Sequence, residues 1–446
     1  MLDCIVVGAG LAGLRTATEL VAAGREVLVL EARDRVGGRV ETIRTEHGAA
    51  LEMGGQWIND GHERMLALVE ERDLTLVDHA DGAVVVRLGG GRRHVPTKDE
   101  LDENLSPFEL ADLGQGLLRF RRLGERISHD AAWADANRPW FQQSVETWVS
   151  ANVRTPGGQQ WFGRVFEGAF GRPGDEMTLL EGLQRSNNGL DLESLVTVNG
   201  ALKQRRVAGG IAQLCEAMAA DLGDRLQLGA PVVAVEQDDE QVVVVLADGT
   251  RHQAAHLVLT LPPRLVNGLK FTPELPTWRR ETAEKVPAGN VIKAALIYET
   301  PWWRREGMSG QVGSDEGAMR VIMDNSGPDG HGVLMGFFEG PDAPSIATRS
   351  EFLRKRAMED VVKQALGHHG GEPLAYLDRN WSTEQYTGGC HGAHFAPGVW
   401  TASGPVLAEP EGRVYFAGSE YSSKFNGYME GAVRSAERIA ELLLRG

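Results

Sequence analysis

Three glycines, Gly8, Gly10 and Gly13, stand at G-x-G-x-x-G spacing after the β-branched run DCIVV (3–7), and Leu14, Ala17, Leu20 and Val21 follow at helical spacing. Strand, glycine turn and helix in that order are the context in which this spacing binds a dinucleotide. Gly8 permits the turn, Gly10 lets a pyrophosphate approach the backbone, and Gly13 lets helix and strand pack closely. Free N–H groups and the helix dipole favour an anion at that point. Glu31 closes the next apolar run, VLVL (27–30), 18 residues after Gly13, where a carboxylate can accept a hydrogen bond from a ribose 2′-hydroxyl. The bland alternative is a tight strand-to-helix turn, which leaves Glu31 without a task. The spacing by itself does not separate NAD from FAD.

A second loop follows at once. ARDRVGGRV (32–40) brings the cations Arg33, Arg35 and Arg39 around Gly37-Gly38, whose backbone can come close to a diphosphate. An NAD enzyme has no particular use for a second glycine-arginine loop, whereas the longer FAD, held along its length, does; a solvated basic turn is the alternative. Lys293 lies amid VI and AALI. A lone lysine there is costly to bury without a partner, so it either makes a specific contact or snorkels to solvent.

These motifs resemble those of the flavin amine oxidase family, in which E-A-x-x-R-x-G-G-R follows the second strand, and the resemblance runs from residue 3 to 440 with the motifs in the family's order. LEMGGQWI (51–58) is similar to its glycine-rich segment facing the flavin, which implies contacts from Gly55, Gln56 and Trp57, with Gly38 joining from the preceding loop. PVVAVEQ (231–237) resembles the strand at the adenine end and makes Val232 a backbone contact. VIKAALIYETPWW (291–303) is similar to the lysine-bearing strand, where Lys293 would hold a water near flavin N5. NWSTEQYTGGCHGAHFAPGVW (380–400) and RVYFAGSEYSSKFNGYMEGAVRSAERIA (413–440) resemble the flavin-embracing C-terminal part, implying Trp381, Cys390, Glu420 and Met429 as cofactor contacts and Tyr428 as a ring before the flavin. Within the family the monoamine oxidases are the most similar branch.

The resemblance implies FAD as cofactor and oxidation of a C–N bond by hydride transfer to flavin N5, giving an imine that water hydrolyses while dioxygen returns the flavin to its oxidised form and leaves as hydrogen peroxide. His391 stands where a second aromatic ring is usual, Phe425 where tryptophan is common, and SEYS where TETA is usual. The substrate is accordingly read as an amine or amide, with a biosynthetic oxidase that closes a ring onto the imine, an L-amino acid oxidase and a non-catalytic flavin-binding module as alternatives. Lys293, Tyr428 and His391 are the catalytic candidates. Cys390 occupies the position from which some relatives bond the flavin; FAD is expected here noncovalently, with the thioether as alternative.

The elements that must carry these residues read as two-domain α/β. A Rossmann-type FAD domain is expected from 1–75, 205–265 and 385–446, and a mixed α+β substrate domain from 76–204 and 266–384. Near-continuous apolar strands around the glycine turn suit a parallel sheet covered on both faces. From about 60 to 200 the pattern is helical, with Trp133, Trp140, Trp148 and Trp161 as helical core or as the apolar wall of a substrate cavity. Residues 226–261 read as strands with a hairpin turn at Asp248-Gly249, and the C-terminal segment as strand, glycine connection and helix, the helix starting at Gly427.

Composition agrees with a globular chain of this kind: 446 residues exceed one core, and 42% apolar with 24% charged residues is ordinary. A net charge of −16 argues against nucleic acid and anionic membranes as partners and mildly favours cationic small molecules. Cys4, Cys215 and Cys390 are too sparse for a disulfide framework or a metal site, so a reducing, cytoplasmic setting is expected. No apolar run reaches membrane-spanning length and no basic segment precedes the first strand, so neither an anchor nor a signal peptide is expected. The expected partners are a small amine or amide, dioxygen and a second copy of the chain in a homodimer.

Overall fold

In a computed structural model of the chain, the described residues are 1–445 without 79, 81, 89–90, 96–104, 125, 128–135, 171–173, 176, 188–204, 287, 315–318, 329, 340–342, 368–370 and 394–405. The β-branched run at the start forms strand β1 (Leu2–Val7), the glycine turn leads into helix α1 (Leu11–Ala22), and VLVL forms strand β2 (Val27–Leu30). β1 pairs in parallel with β2 on one side and with Arg251–Leu259 on the other. Ile5, Val6 and Val7 are buried, as expected of a strand with helices or loops on both faces.

Around β1 the described residues build an eight-stranded sheet. The path runs Lys270–Thr272, Val232–Gln237, Val242–Leu246, Arg251–Leu259, β1, β2 and Leu226–Gln227, and Val414–Phe416 pairs in parallel with Arg251–Leu259. The meander Val232–Leu259 turns at Asp248-Gly249, where Gly249 takes a positive φ of 88° and Leu246 N donates to Thr250 O at 2.9 Å. Lys270–Thr272 pairs with Ala234, Val235 and Glu236, so this sheet continues beyond residue 265. α1, Ala212–Leu222 and the last helix, Met429–Arg445, bury their apolar faces in one cluster against β1 and β2. That last helix starts two residues after Gly427, because Gly427 has a φ of 82° and Tyr428 N closes a turn onto Phe425 O.

A second, mostly antiparallel sheet of seven described strands carries Lys293. Its order is Ala375–Asn380, Val291–Tyr298, Gly332–Glu339, Met319–Asp324, Met308–Ser314, Ala83–Leu88 and Gly91–Val95. Val291–Tyr298 has neighbours on both sides and is buried at every position. Residues 83–95 depart from the helical reading of 60–200: AVVVRL has too many β-branched residues for a stable helix and joins Met308–Ser314 in parallel. The remaining helices expected there do form. Pro107–Gly124, Val145–Asn152, Pro156–Phe170 and Leu179–Asn187 enclose Phe120, Trp148, Phe162 and Phe166, with Trp140 and Trp161 half-buried against them. Trp133 lies outside the described residues.

Candidate active site

The three glycines of the first turn meet three different physical demands. Gly8 has a φ of 103°, and a Cβ there would stand 2.5 Å from Thr260 Oγ1. At Gly13 a Cβ would lie 1.9 Å from Gly8 O, so helix and strand could not approach as they do. Gly10 is neither strained nor crowded: its φ is −77°, and the nearest atom to a Cβ is Gly37 O at 3.8 Å. Gly10 is the N-cap of α1, has no side-chain cap bond, and no acidic residue occupies the first turn. The helix N-terminus is thus left with unpaired N–H groups next to open space, which is the arrangement an anion needs.

That open space is a cavity of about 510 Å³. Of the residues singled out from the sequence, Gly8, Gly10, Glu31, Arg33, Gly38, Arg39, Gly55, Val232, Cys390, Tyr428 and Met429 line it. Glu31 is buried, and its Oε2 accepts from Ala9 N at 2.7 Å while Oε1 accepts from Arg33 N at 2.9 Å. A carboxylate has about four acceptor directions, so capacity remains for a hydroxyl in the cavity. Arg33 donates to Glu384 Oε2 at 3.2 Å and Thr387 Oγ1 at 2.8 Å, and its guanidinium lies 5.4 Å from the Tyr386 ring centre.

Arg39 faces the cavity and reaches Glu420 by two bonds, Nη1 to Oε1 at 2.5 Å and Nη2 to Oε2 at 2.8 Å, with Ser419 Oγ at 3.1 Å. Burial by itself would raise the Glu420 carboxyl, but the charge and hydrogen bonds of Arg39 outweigh it and hold the group below its usual range. The same pairing overrides the effect of burial on Arg39 and keeps that guanidinium firmly protonated. Glu420 therefore supports Arg39 from behind and does not itself line the cavity.

Gly13, Arg35, Gln56, Trp57, Lys293 and Trp381 also stand outside the lining. Arg35 donates to Val36 O, Val40 O and Gly38 O, so it shapes the Gly37-Gly38 loop. Trp381 is buried and donates from Nε1 to Met53 O at 2.8 Å, fixing the segment before Gly54-Gly55. Trp57 carries the Arg206 guanidinium 5.8 Å from its ring centre. Lys293 lies behind the glycine pair: its buried Nζ donates to Gly54 O at 2.8 Å and to Gln56 Oε1, and Gln56 passes the bonding on from Nε2 to Asn325 Oδ1 at 3.0 Å. Burial pulls the Lys293 pKa down to about 7, against the opposing pull of Glu52 and Cys390.

The His391 side chain lies outside the described residues, although its backbone is in strand Cys390–Ala393. Sequence reasoning passed over Thr260, Glu52 and His62. Thr260 Oγ1 donates to Val7 O at 2.8 Å and lines the cavity beside Gly8. Glu52 is buried, accepting from Ile211 N at 2.6 Å and Thr42 Oγ1 at 2.8 Å, and burial raises its pKa. The signal for Glu52 was available, an acidic residue directly before MGG; nothing local marked the other two.

The lining fits FAD. Glycine backbone without Cβ atoms, an uncapped helix start, a buried carboxylate and a supported arginine share one cavity of ligand size. Among the described residues no cluster is suited to a metal, and no helix is long and apolar enough to cross a membrane.

Comparison with known proteins gives one consistent answer. The sequence model of the family described as flavin containing amine oxidoreductase matches residues 11–444. A flavin-containing amine oxidase of Oncorhynchus mykiss is 31% identical over 98% of this chain and 85% of its own length, and a probable flavin-containing monoamine oxidase A of Dictyostelium discoideum is 30% identical over 98% and 96%. Among solved structures, wild-type putrescine oxidase bound to putrescine superposes with a TM-score of 0.91 at 27% identity, covering 100% of this chain and 99% of the other. Cyclohexylamine oxidase from Brevibacterium oxydans IH-35A gives 0.89 at 27%, with the same coverage.

Proposed function

This chain belongs to the flavin-containing amine oxidoreductase family, and we propose that it works as an oxidase in which Tyr428 and His391 guide the amine and Lys293 serves the oxidative cycle. It is an FAD-dependent amine oxidase. The observation that carries the proposed role of Tyr428 is a single cavity in which the glycine turn and Arg39 share walls with Cys390, Tyr428 and Met429. Bound FAD supplies the hydride acceptor and passes the electrons on to dioxygen.

The chain's own residues have the remaining tasks. Hydride loss from carbon, with the nitrogen lone pair closing the double bond, leaves an iminium, and loss of an N–H proton to water gives the imine. Water then converts the imine to a carbonyl compound and ammonia or an amine, and dioxygen leaves as hydrogen peroxide. An ammonium has no lone pair to give, so the amine must be neutral when it reacts. Tyr428 lines the cavity and packs against the aromatic helical cluster, an apolar wall whose desolvation disfavours the charged amine. Lys293 Nζ, with two acceptors already engaged, keeps a third direction for a water.

We assign FAD binding to segments 1–75, 205–265 and 385–446, extended by Lys270–Thr272 because it pairs within the same sheet. Segments 76–204 and 266–384 otherwise form the substrate part. Cys4, Cys215 and Cys390, none of them in a disulfide, support a cytoplasmic setting.

Anaerobic mixing of the yellow protein with amines, diamines, amino acids and amides tests the reading. We expect amines to bleach the flavin, and readmitted dioxygen to restore it with one hydrogen peroxide released per flavin. A panel in which no amine bleaches it would refute the proposal.

A further inference from the structure

His62 precedes helix α2 (Glu63–Glu71) and is only 2% exposed, yet its Nε2 is buried without a hydrogen-bond partner among the described residues. Nδ1 accepts from Asn59 N at 3.5 Å, a long contact that leaves the proton on Nε2. A buried, unpaired N–H costs free energy, so what holds the ring here is its packing against the neighbouring rings. The ring meets Phe425 edge-on, with centroids 5.3 Å apart at 87°, and Tyr428 at 5.6 Å and 66°. Burial and the positive charge of Arg434 hold its pKa down at about 4, so the wedge between the two rings is neutral.

The ring lies among contacts that join α2 to the last helix. Phe425 is held in a left-handed conformation with a φ of 56°, and Arg434 lies over its ring at 5.2 Å. Glu430 accepts from Arg64 N at 3.2 Å and Met65 N at 2.9 Å, which fastens the start of α2 to the start of the last helix. Arg434 Nε donates to the same carboxylate at 2.7 Å. Tyr428 sits between this block and the cavity it lines. We propose that His62 is a positioning residue for Tyr428, its ring filling the space into which the phenol would otherwise turn and so setting the angle that the phenol presents to the amine. The inference rests on the reading of Tyr428 as an amine-guiding ring.

A double-mutant cycle on the FAD-loaded protein tests it, with the best amine from the bleaching panel as substrate. His62→Ala should keep full flavin content and an unchanged flavin spectrum while lowering kcat/KM roughly ten-fold, the scale expected when a reacting group is misaligned. In a Tyr428→Ala background the same substitution should cost less than about two-fold, because the group it positions is gone. His62→Phe, which keeps an aromatic wedge, should retain most of the wild-type kcat/KM. An equal loss from His62→Ala in both backgrounds, or none in either, would overturn the proposal while leaving the role of Tyr428 intact. A Tyr428→Ala variant with wild-type kcat/KM would instead overturn the reading of Tyr428, and this inference with it. Should His62→Ala not accumulate as folded protein, His62→Gln goes through the same cycle with the same criteria.

Discussion

Lys293 combines a cation's chemistry with a strand's burial, and its protonation follows from that conflict. Desolvation lowers its pKa from 10.5 to about 7. Between those values the unfolded chain holds a proton that the folded chain lacks, so the contribution of this site to stability rises with pH. Lys293→Met removes the dependence, and the difference in Tm between wild type and variant should grow in favour of wild type from pH 7 to pH 10. The variant should retain FAD but slow flavin reduction or reoxidation in stopped-flow measurements. Unchanged rates in both half-reactions would mean that the lysine is structural. Cys390 poses a different question at the same scale. It lines the cavity, where a thiolate aimed at the flavin would be needed to bond it. We nevertheless expect noncovalent flavin, released on acid precipitation and leaving apoprotein mass. A coloured pellet carrying the flavin mass, lost in Cys390→Ser, would show the bond.

At the scale of elements, the turn between β1 and α1 makes two glycines fail differently. A side chain at Gly13 collides with the backbone oxygen of Gly8 at 1.9 Å and must push α1 away from β1. A Cβ at Gly10 meets nothing closer than 3.8 Å, at a residue that lines the cavity. Gly10→Val is therefore predicted to fold with a Tm close to that of wild-type apoprotein and to purify without FAD, whereas Gly13→Val should be strongly destabilised even as apoprotein. Calorimetry of both apoproteins, with absorption spectra of the purified forms, separates the two outcomes. Stoichiometric yellow Gly10→Val protein would contradict the phosphate site at the start of α1.

Over the whole molecule, a few buried polar contacts tie the Lys293-bearing sheet and the loop after it to the segment 54–56 and to the short strand at 206–207. Lys293 reaches the backbone of Gly54, and Gln56 reaches Asn325. Arg206 donates to Asn325 O at 2.9 Å and Ser326 O at 3.1 Å from the short strand Arg206–Val207, which leads into the helix packed on α1. Arg206→Leu leaves both carbonyls without these donors and should cost on the order of 2–4 kcal/mol. Chemical denaturation should show this loss, with catalysis by the remaining folded protein falling less than in Lys293→Met. A loss confined to activity would instead assign Arg206 to the chemistry.

Local sequence by itself determined the glycine turn, the acidic residue after β2 and the glycine-arginine loop, because those features depend on backbone conformation and short-range spacing that a few consecutive residues specify. It also marked Lys293, Cys390 and Tyr428, by their resemblance to a known family. Tertiary structure decided what these residues touch. Arg35 and Glu420 have the charge of cofactor ligands, yet Arg35 spends its donors on loop carbonyls and Glu420 is paired with Arg39, 381 positions away. The strand at 83–88 was legible from its β-branched run and pairs locally with Gly91–Val95, but its place in the sheet beside Met308–Ser314, more than 200 residues distant, was decided by the tertiary fold. His62 carried no local signal at all: its importance comes from two rings near residue 425 that only the packing of α2 on the last helix brings within reach. Contacts between residues so far apart depend on how the elements pack, which the spacing of neighbouring residues does not encode.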